Sequence, residues 1–358
     1  MSEPAGRADR LAARVAEREI DRLLVTNLVN VAWLTGFTGT NGACLVEPGR
    51  HLFLTDFRYA ERAAEIEGWE VEIVTGEWLK GVAAALAGRV GVEDGHVTLR
   101  DYGRLRELAG DEVEVVPAGG DVEDLRRVKD PAEIEAVAAA AELTDSIYLE
   151  LIERGLTGRT EEEVARYAVA RMREMGAEPS FPPIVASGPN GASPHAEPGP
   201  REIGLGELVT IDMGSRLDGY CSDCTRTFAT GPEGGLDDRA GGIYEVTLAA
   251  NLAGLEATRA GALGSEVDAV ARKLIADAGH GDRFGHGLGH GVGLEIHEAP
   301  RLGPRSEDEL RTGEIVTVEP GIYLPGETGV RIEDMVVVGA EGVARNFSTV
   351  PKALTFVA

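Results

Sequence analysis

The sequence predicts an α/β (α+β) protein built as a small N-terminal α/β domain followed by a larger domain with an internal pseudo-twofold duplication. Three observations carry this. Strand-like and helix-like stretches alternate through the first third of the chain. A charged stretch from Asp121 to Pro131 lies between two patterned regions. Beyond it, a helix-then-hairpin pattern occurs twice. A length of 358 residues suits two domains, and we expect them at 1–123 and 132–358, joined by a linker at 124–131.

In the first domain, Ala5 to Glu19 is rich in Ala, Arg and Glu and reads as a helix. Short apolar runs predict strands at Arg22–Thr26, His51–Thr55, Val71–Val74, Val90–Val92 and Val113–Val116, with a helix from Phe57 to about Glu67. Pro131 suits the first position of a helix running from Ala132 to about Arg154, with Gly155 as its stop. Thr160-Glu-Glu-Glu163 fits a capping box ahead of a helix to about Met175. Two further helices are expected at Asp237–Ala260 and Ser265–Ala278. Between and after these lie two hairpins. Glu207–Ser215 and Tyr220–Ala229 flank Leu217-Asp218-Gly219, and Glu314–Pro320 and Gly329–Val338 flank Pro325-Gly326-Glu327.

Composition narrows the function classes. Apolar residues make up 43% of the chain and charged residues 27%, as in a globular protein. Lys+Arg minus Asp+Glu is 35 − 61 = −26. Such a field repels phosphate backbones and anionic membrane surfaces, which disfavours nucleic acid as a partner, and it draws cations. Lys occurs only at Lys80, Lys129, Lys273 and Lys352. An acidic, Lys-poor surface suits a saline cytoplasm, and a GC-rich genome gives the same bias. The three cysteines, Cys44, Cys221 and Cys224, form no disulfide framework and point to a reducing compartment. The opening Met-Ser-Glu-Pro leads into a charged stretch, without an apolar core of signal-peptide length. No run of eighteen apolar residues occurs. We therefore expect a cytoplasmic protein with no membrane partner.

The hairpins carry the chemistry. If the first turn centres on Leu217-Asp218, Asp212 and Asp223 are cross-strand partners. If it centres on Asp218-Gly219, they are diagonal neighbours. Either way both carboxylates leave one face. A second turn centred on Gly326 sets Glu319 opposite Glu333. One acidic pair is ordinarily a solvated sheet face. Two pairs in apolar strands (Val-Thr-Ile-Asp, Val-Thr-Val-Glu) call for something positive between them. Four carboxylates balance two divalent cations, and oxygen donors favour hard metals. An imidazole source lies in His286-Gly-Leu-Gly-His290-Gly-Val-Gly-Leu-Glu-Ile-His297, which holds three of the chain's seven histidines. Its glycines at 285, 287, 289, 291 and 293 leave one face bare, so that another backbone can approach closely.

Other motifs carry less. Cys221-Ser-Asp-Cys224 has the spacing of a redox pair or half a zinc site, but in a strand its sulfurs leave opposite faces, and core packing is the simpler reading. His297-Glu298 is followed by Ala-Pro-Arg, so HExxH is absent, and there is no GxxxxGK[ST] loop.

In Ile211-Asp-Met-Gly214, Ser222-Asp-Cys-Thr-Arg-Thr227, His286–Glu298, Thr317-Val-Glu-Pro-Gly321 and Val330-Arg-Ile-Glu-Asp334 the chain resembles the pita-bread metallopeptidases. These include Xaa-Pro aminopeptidase, Xaa-Pro dipeptidase (prolidase) and methionine aminopeptidase, with creatinase as a metal-free relative. Gly36-Phe-Thr-Gly39 and Thr55-Asp-Phe-Arg-Tyr59 resemble the N-terminal domain of the Xaa-Pro branch, which methionine aminopeptidases lack. The resemblance implies a curved antiparallel sheet and metal ligands at Asp212, Asp223, His290, Glu319 and Glu333. It implies two divalent ions per subunit, Mn2+ first, with Co2+, Zn2+ or Fe2+ as alternatives. Asp223 and Glu333 would bridge both ions, and a shared hydroxide would attack the bond before proline. Glu319 would shuttle the proton, and His195 and His297 would stabilise the developing oxyanion. His286 and Arg331 would line the substrate site, Arg331 by orienting a carboxylate or by a supporting salt bridge. The implied activity is Xaa-Pro aminopeptidase, with Xaa-Pro dipeptidase as the alternative. A non-peptidase or peptide-binding protein on the same scaffold is the remoter reading. The implied partners are a peptide or dipeptide with proline second and a second copy of the chain, as a homodimer.

Overall fold

The computed structural model describes residues 6–358 and resolves into two compact units, Met1–Arg126 and Arg127–Ala358. In the first, helix α1 (Arg7–Glu17) precedes β1 (Arg22–Val25), α2 (Leu28–Thr35), β2 (Ala43–Glu47), β3 (Arg50–Asp56), α3 (Ala60–Ala63), β4 (Glu70–Val74), α4 (Trp78–Ala84), β5 (Arg89–Val92), α5 (Leu99–Ala109), β6 (Glu114–Pro117) and α6 (Asp121–Arg127). Ala5, where the sequence places the start of the first helix, lies outside the described residues. The strands form one mixed sheet in the order β4-β3-β2-β1-β5-β6. Leu24, Leu45, Leu54, Val90 and Val92 are buried at its centre. The helix expected over Phe57–Glu67 is shorter, a 3-10 turn at Phe57–Tyr59 and then α3, because only Ala63 is buried and no apolar stripe holds a longer one. Helix α2 escapes periodicity for the opposite reason. Its Leu-Val-Asn-Val-Ala-Trp-Leu-Thr is apolar on nearly every side and largely buried.

The second unit opens with α7 (Pro131–Arg154), whose Pro131 follows the Asp130 cap and whose Gly155 stop has φ 74°. Helix α8 (Glu161–Glu174) starts from the expected Thr160/Glu163 capping box. Then come β7 (Glu178–Pro179), β8 (Ile184–Ser187), β9 (Leu208–Met213), β10 (Ser215–Leu217), β11 (Tyr220–Cys221) and β12 (Cys224–Thr230). The second half repeats the order with α9 (Asp238–Ala257), α10 (Gly264–Asp277), β13 (Gly289–Gly291), β14 (Glu298–Leu302), β15 (Ile315–Val318), β16 (Gly321–Leu324), β17 (Thr328–Arg331) and β18 (Asp334–Val338), followed by β19 (Val343–Asn346) and β20 (Phe356–Val357). A four-stranded sheet runs β20-β12-β9-β8 and a five-stranded one β14-β13-β15-β18-β19.

Each hairpin is one register interrupted by a break. In the first, Leu217 pairs with Tyr220, and Asp212 pairs with Thr225. The turn therefore centres on Asp218-Gly219, both at positive φ (49° and 92°), as a two-residue hairpin turn requires. Asp223 is thus a diagonal neighbour of Asp212. In the second, Leu324 pairs with Thr328 and Ile315 with Val337, about Gly326 at φ 77°. The sequence reads each long strand as continuous. In the structure the ladders stop at Ser222-Asp223 and at Ile332-Glu333, so one acidic residue of each hairpin sits where the backbone leaves its sheet.

Candidate metal centre

The breaks are held by polar groups on the first helix of each half. On α7 the Tyr148 hydroxyl lies 2.8 Å from the Ile211 carbonyl and 2.7 Å from that of Cys224. On α9 the Asn251 amide donates to the carbonyls of Val318 (2.9 Å) and Ile332 (3.3 Å). These carbonyls adjoin Asp212, Asp223, Glu319 and Glu333 in the chain. Arg226, 1% exposed, donates to the carbonyls of Glu333, Thr225 and Val350 and pairs with Asp334 at 2.9 Å. The bare glycine face also does what the spacing predicts. A Cβ on Gly289 would lie 1.9 Å from the Thr317 carbonyl oxygen, and one on Gly291 would lie 2.2 Å from that of Ala299. Only glycine lets the histidine-bearing segment seat against β14 and β15.

All nine sequence-predicted site residues line one cavity of about 1120 Å3: His195, Asp212, Asp223, His286, His290, His297, Glu319, Arg331 and Glu333. At its floor, ligand atoms of Asp223, His290 and Glu333 lie within 4.8 Å of one another. His290 Nε2 is 3.6 Å from Asp223 Oδ2 and 3.5 Å from Glu319 Oε1. Burial drives the His290 pKa down to about 3, so this ring is neutral and the contacts are not ion pairs. Its Nδ1–H donates to the Gly291 carbonyl at 3.1 Å, which leaves the Nε2 lone pair facing the carboxylates.

The floor is therefore made almost wholly of acceptors. Burial, then the charges of Glu333, Asp212 and Glu319, push Asp223 well above the ordinary carboxylate range. Burial and the charges of Glu319 and Asp212 do the same to Glu333, and burial lifts Glu319 to about 8. Asp212 Oδ2 accepts from Arg331 Nη2 at 2.6 Å, while Asp212 Oδ1 is buried without a hydrogen-bond partner. Glu333 accepts from Thr225 Oγ1 at 2.8 Å. Oxygen donors, one fixed imidazole and an orphaned buried carboxylate oxygen fit hard or borderline divalent cations.

The remaining residues surround this floor. Arg331, 4% exposed, spends its donors on Asp212, on Thr225 Oγ1 (3.1 Å), on the Pro194 carbonyl (3.1 Å) and on Tyr323 Oη (3.0 Å). Tyr323 in turn lies 2.9 Å from His286 Nε2, and His286 Nδ1 is 2.8 Å from the Gly287 carbonyl. Burial takes the His286 pKa to about 4, so Tyr323 donates to it while accepting from Arg331. His195 and His297 are exposed to the cavity, and the His297 ring stacks edge-on against His290 with centroids 4.5 Å apart. Sequence reasoning missed Tyr323, Phe181 and Arg301, which line or brace the same cavity. The two sulfurs of the CxxC pair lie apart, Cys221 toward the Leu294 carbonyl and Cys224 toward that of Glu333, and both are free thiols.

Residues 135–340 match the model of metallopeptidase family M24, and residues 7–128 match the creatinase/prolidase N-terminal domain. The chain belongs to family M24. Across the family model's span this M24 chain carries every residue of the cavity floor. It is 34% identical over 353 residues to the Xaa-Pro dipeptidase of Pyrococcus furiosus, covering 95% of this chain and 97% of that one. The solved Xaa-Pro dipeptidase from Bacillus anthracis superposes with a TM-score of 0.94 at 39% identity, covering 99% of this chain and all of that one. The X-Pro aminopeptidase from Thermotoga maritima superposes with a TM-score of 0.89 at 32% identity, covering 98% and 100%. This M24 protein is therefore a metallopeptidase of the Xaa-Pro dipeptidase/aminopeptidase type, from a family that uses divalent metals. Among the described residues no helix is long and apolar enough to cross a membrane.

Proposed function

We propose that the chain hydrolyses the peptide bond between an N-terminal residue and a following proline, with two divalent cations, Mn2+ foremost, held by Asp212, Asp223, His290, Glu319 and Glu333. The observation that carries this is the acceptor-rich floor, where carboxylate oxygens and an imidazole lone pair converge with few proton donors among them. A bound metal pair supplies a water acidified from about 15.7 towards about 7 and polarises the scissile carbonyl. Arg331 fixes Asp212, and the Nδ1–H bond to Gly291 fixes the face that His290 presents. Glu319, with Thr317 Oγ1 at 3.5 Å, takes the water's proton at a carboxylate oxygen and returns it to the leaving proline nitrogen. His195 and His297 donate to the amide oxygen as negative charge grows on it. His286, with both ring nitrogens engaged, acts on the substrate through Tyr323 and the packing of the wall.

One observation favours the dipeptidase over the aminopeptidase. Arg301 lines the cavity, and its charge lowers the pKa of His290, His297 and Glu319. Its guanidinium makes no ion pair among the described residues. An unpaired cation at that place is ready to take the free carboxylate of a two-residue substrate. The test compares X-Pro with X-Pro-Y-Z at fixed Mn2+. A dipeptidase cleaves X-Pro with the higher kcat/KM, and Arg301→Ala raises KM for X-Pro by about tenfold to a hundredfold, the worth of a hydrogen-bonded charge. Preference for the longer peptide with no effect of Arg301→Ala restores the aminopeptidase. Full activity after chelation overturns both.

A further inference from the structure

The loop that brings His195 to the cavity has no hydrophobic anchor. No side chain of residues 193–198 is buried. What ties the two ends of the loop together is one carboxylate. Glu161, the first residue of α8 and 0% exposed, accepts from Ser187 N–H at 2.7 Å, Ser187 Oγ at 2.7 Å and Gly199 N–H at 3.2 Å. It also accepts from Asn190 Nδ2 at 3.1 and 3.0 Å, one contact to each oxygen. Ser187 and Asn190 open the loop and Gly199 closes it, so both ends are tied to a single buried anion. Between them the loop is seated twice more. A Cβ on Gly329 would lie 1.9 Å from the Gly191 carbonyl oxygen, and the Pro194 carbonyl accepts from Arg331. The span from Gly191 to Gly199, with His195 at its middle, therefore rests at its far end on Glu161.

We propose that Glu161 is a positioning residue for catalysis: it sets the placement of His195 over the cavity floor without touching substrate or metal. This rests on the reading of His195 as an oxyanion donor. An acid suits the task because Ser187 N–H, Ser187 Oγ, Asn190 Nδ2 and Gly199 N–H are all donors, and a carboxylate has no hydrogen to turn against them. Glutamine would set an N–H2 against at least one of them.

The test is a double-mutant cycle of Glu161→Gln and His195→Ala on the Mn2+-loaded full chain, with Mn2+ content measured alongside kcat and KM. Glu161→Gln is expected to lower kcat tenfold or more with KM little changed and Mn2+ content intact. In the His195→Ala background it should cost no further activity, because the group it positions is gone. Asn190→Ala removes one donor without disturbing the buried charge. It should show a smaller loss of kcat with the same dependence on His195, and it decides the matter if Glu161→Gln does not fold. Unchanged kcat, a loss that adds in full to that of His195→Ala, or loss of Mn2+ each overturns the proposal. If His195→Ala itself is harmless, the oxyanion role of His195 fails and the proposal falls with it. If His195→Ala is costly and Glu161→Gln is not, only the positioning role falls.

Discussion

The cavity floor is unstable company for itself. Two carboxylate charges within 4.8 Å of each other, as at Asp223 and Glu333, repel by about 3–4 kcal/mol or more at an effective dielectric of 20, and here burial adds to the cost for Asp223, Glu319 and Glu333. Arg331 offsets part of that by pairing with Asp212. The rest is a standing demand for cations. Glu333 is the sharpest single probe, because its side chain makes one hydrogen bond, to Thr225, while its backbone is held separately by Arg226. Glu333→Ala is expected to lose bound metal and reduce turnover to background, with stability of the metal-free form changed by no more than about 2 kcal/mol. Elemental analysis and thermal unfolding of the purified variant check this. Full occupancy with normal turnover would rule out the ligand assignment. The two acidic pairs were legible from spacing, whereas the choice of His290 among three histidines came only from the family resemblance. Their supports were not legible, because the Tyr323 hydroxyl joins Arg331 to His286 through contacts that only the folded chain brings together.

At the level of elements, parity put the two acidic residues of each hairpin on one face, but it left the first hairpin's register open between two turn centres, of which the structure has Asp218-Gly219. The glycine-rich run was also readable, because alternate glycines have few uses other than close backbone approach. The strand breaks were not. Val-Arg-Ile-Glu-Asp-Met-Val reads as one apolar strand, and the interruption at Ile332-Glu333 is set by side chains far away in sequence. Asn251 and Tyr148 fill matching posts in the two halves, each holding two carbonyls beside an acidic pair. Asn251→Leu removes both amide N–H bonds while keeping the branching and number of side-chain heavy atoms. It is expected to cost about 2 kcal/mol of stability and to weaken Mn2+ binding by about tenfold to a hundredfold, as loss of a ligand's supporting partner does. Calorimetric titration with Mn2+ measures the second effect. An unchanged affinity would assign Asn251 to folding alone.

Over the whole molecule, the α/β class and the duplicated second half were visible because both are written in local periodicity and in a pattern that recurs. The alternation in the first unit predicted an α/β sheet but not its antiparallel β1-β2-β3 part, and five elements there, α2, β2, α4, α5 and α6, went unread because they are short, or apolar all round, or polar without a stripe. The boundary region expected as a linker begins within α6, and the two units divide between Arg126 and Arg127. A net charge of −26 suits a protein whose working parts are cations. The most direct test of the central claim is an isothermal titration of Mn2+ into chelator-stripped protein, read against cleavage of X-Pro in the same samples. The account predicts two ions bound per chain and activity that rises with their binding. Full cleavage by the stripped protein, or no Mn2+ bound at a floor of four carboxylates and an imidazole, would contradict it.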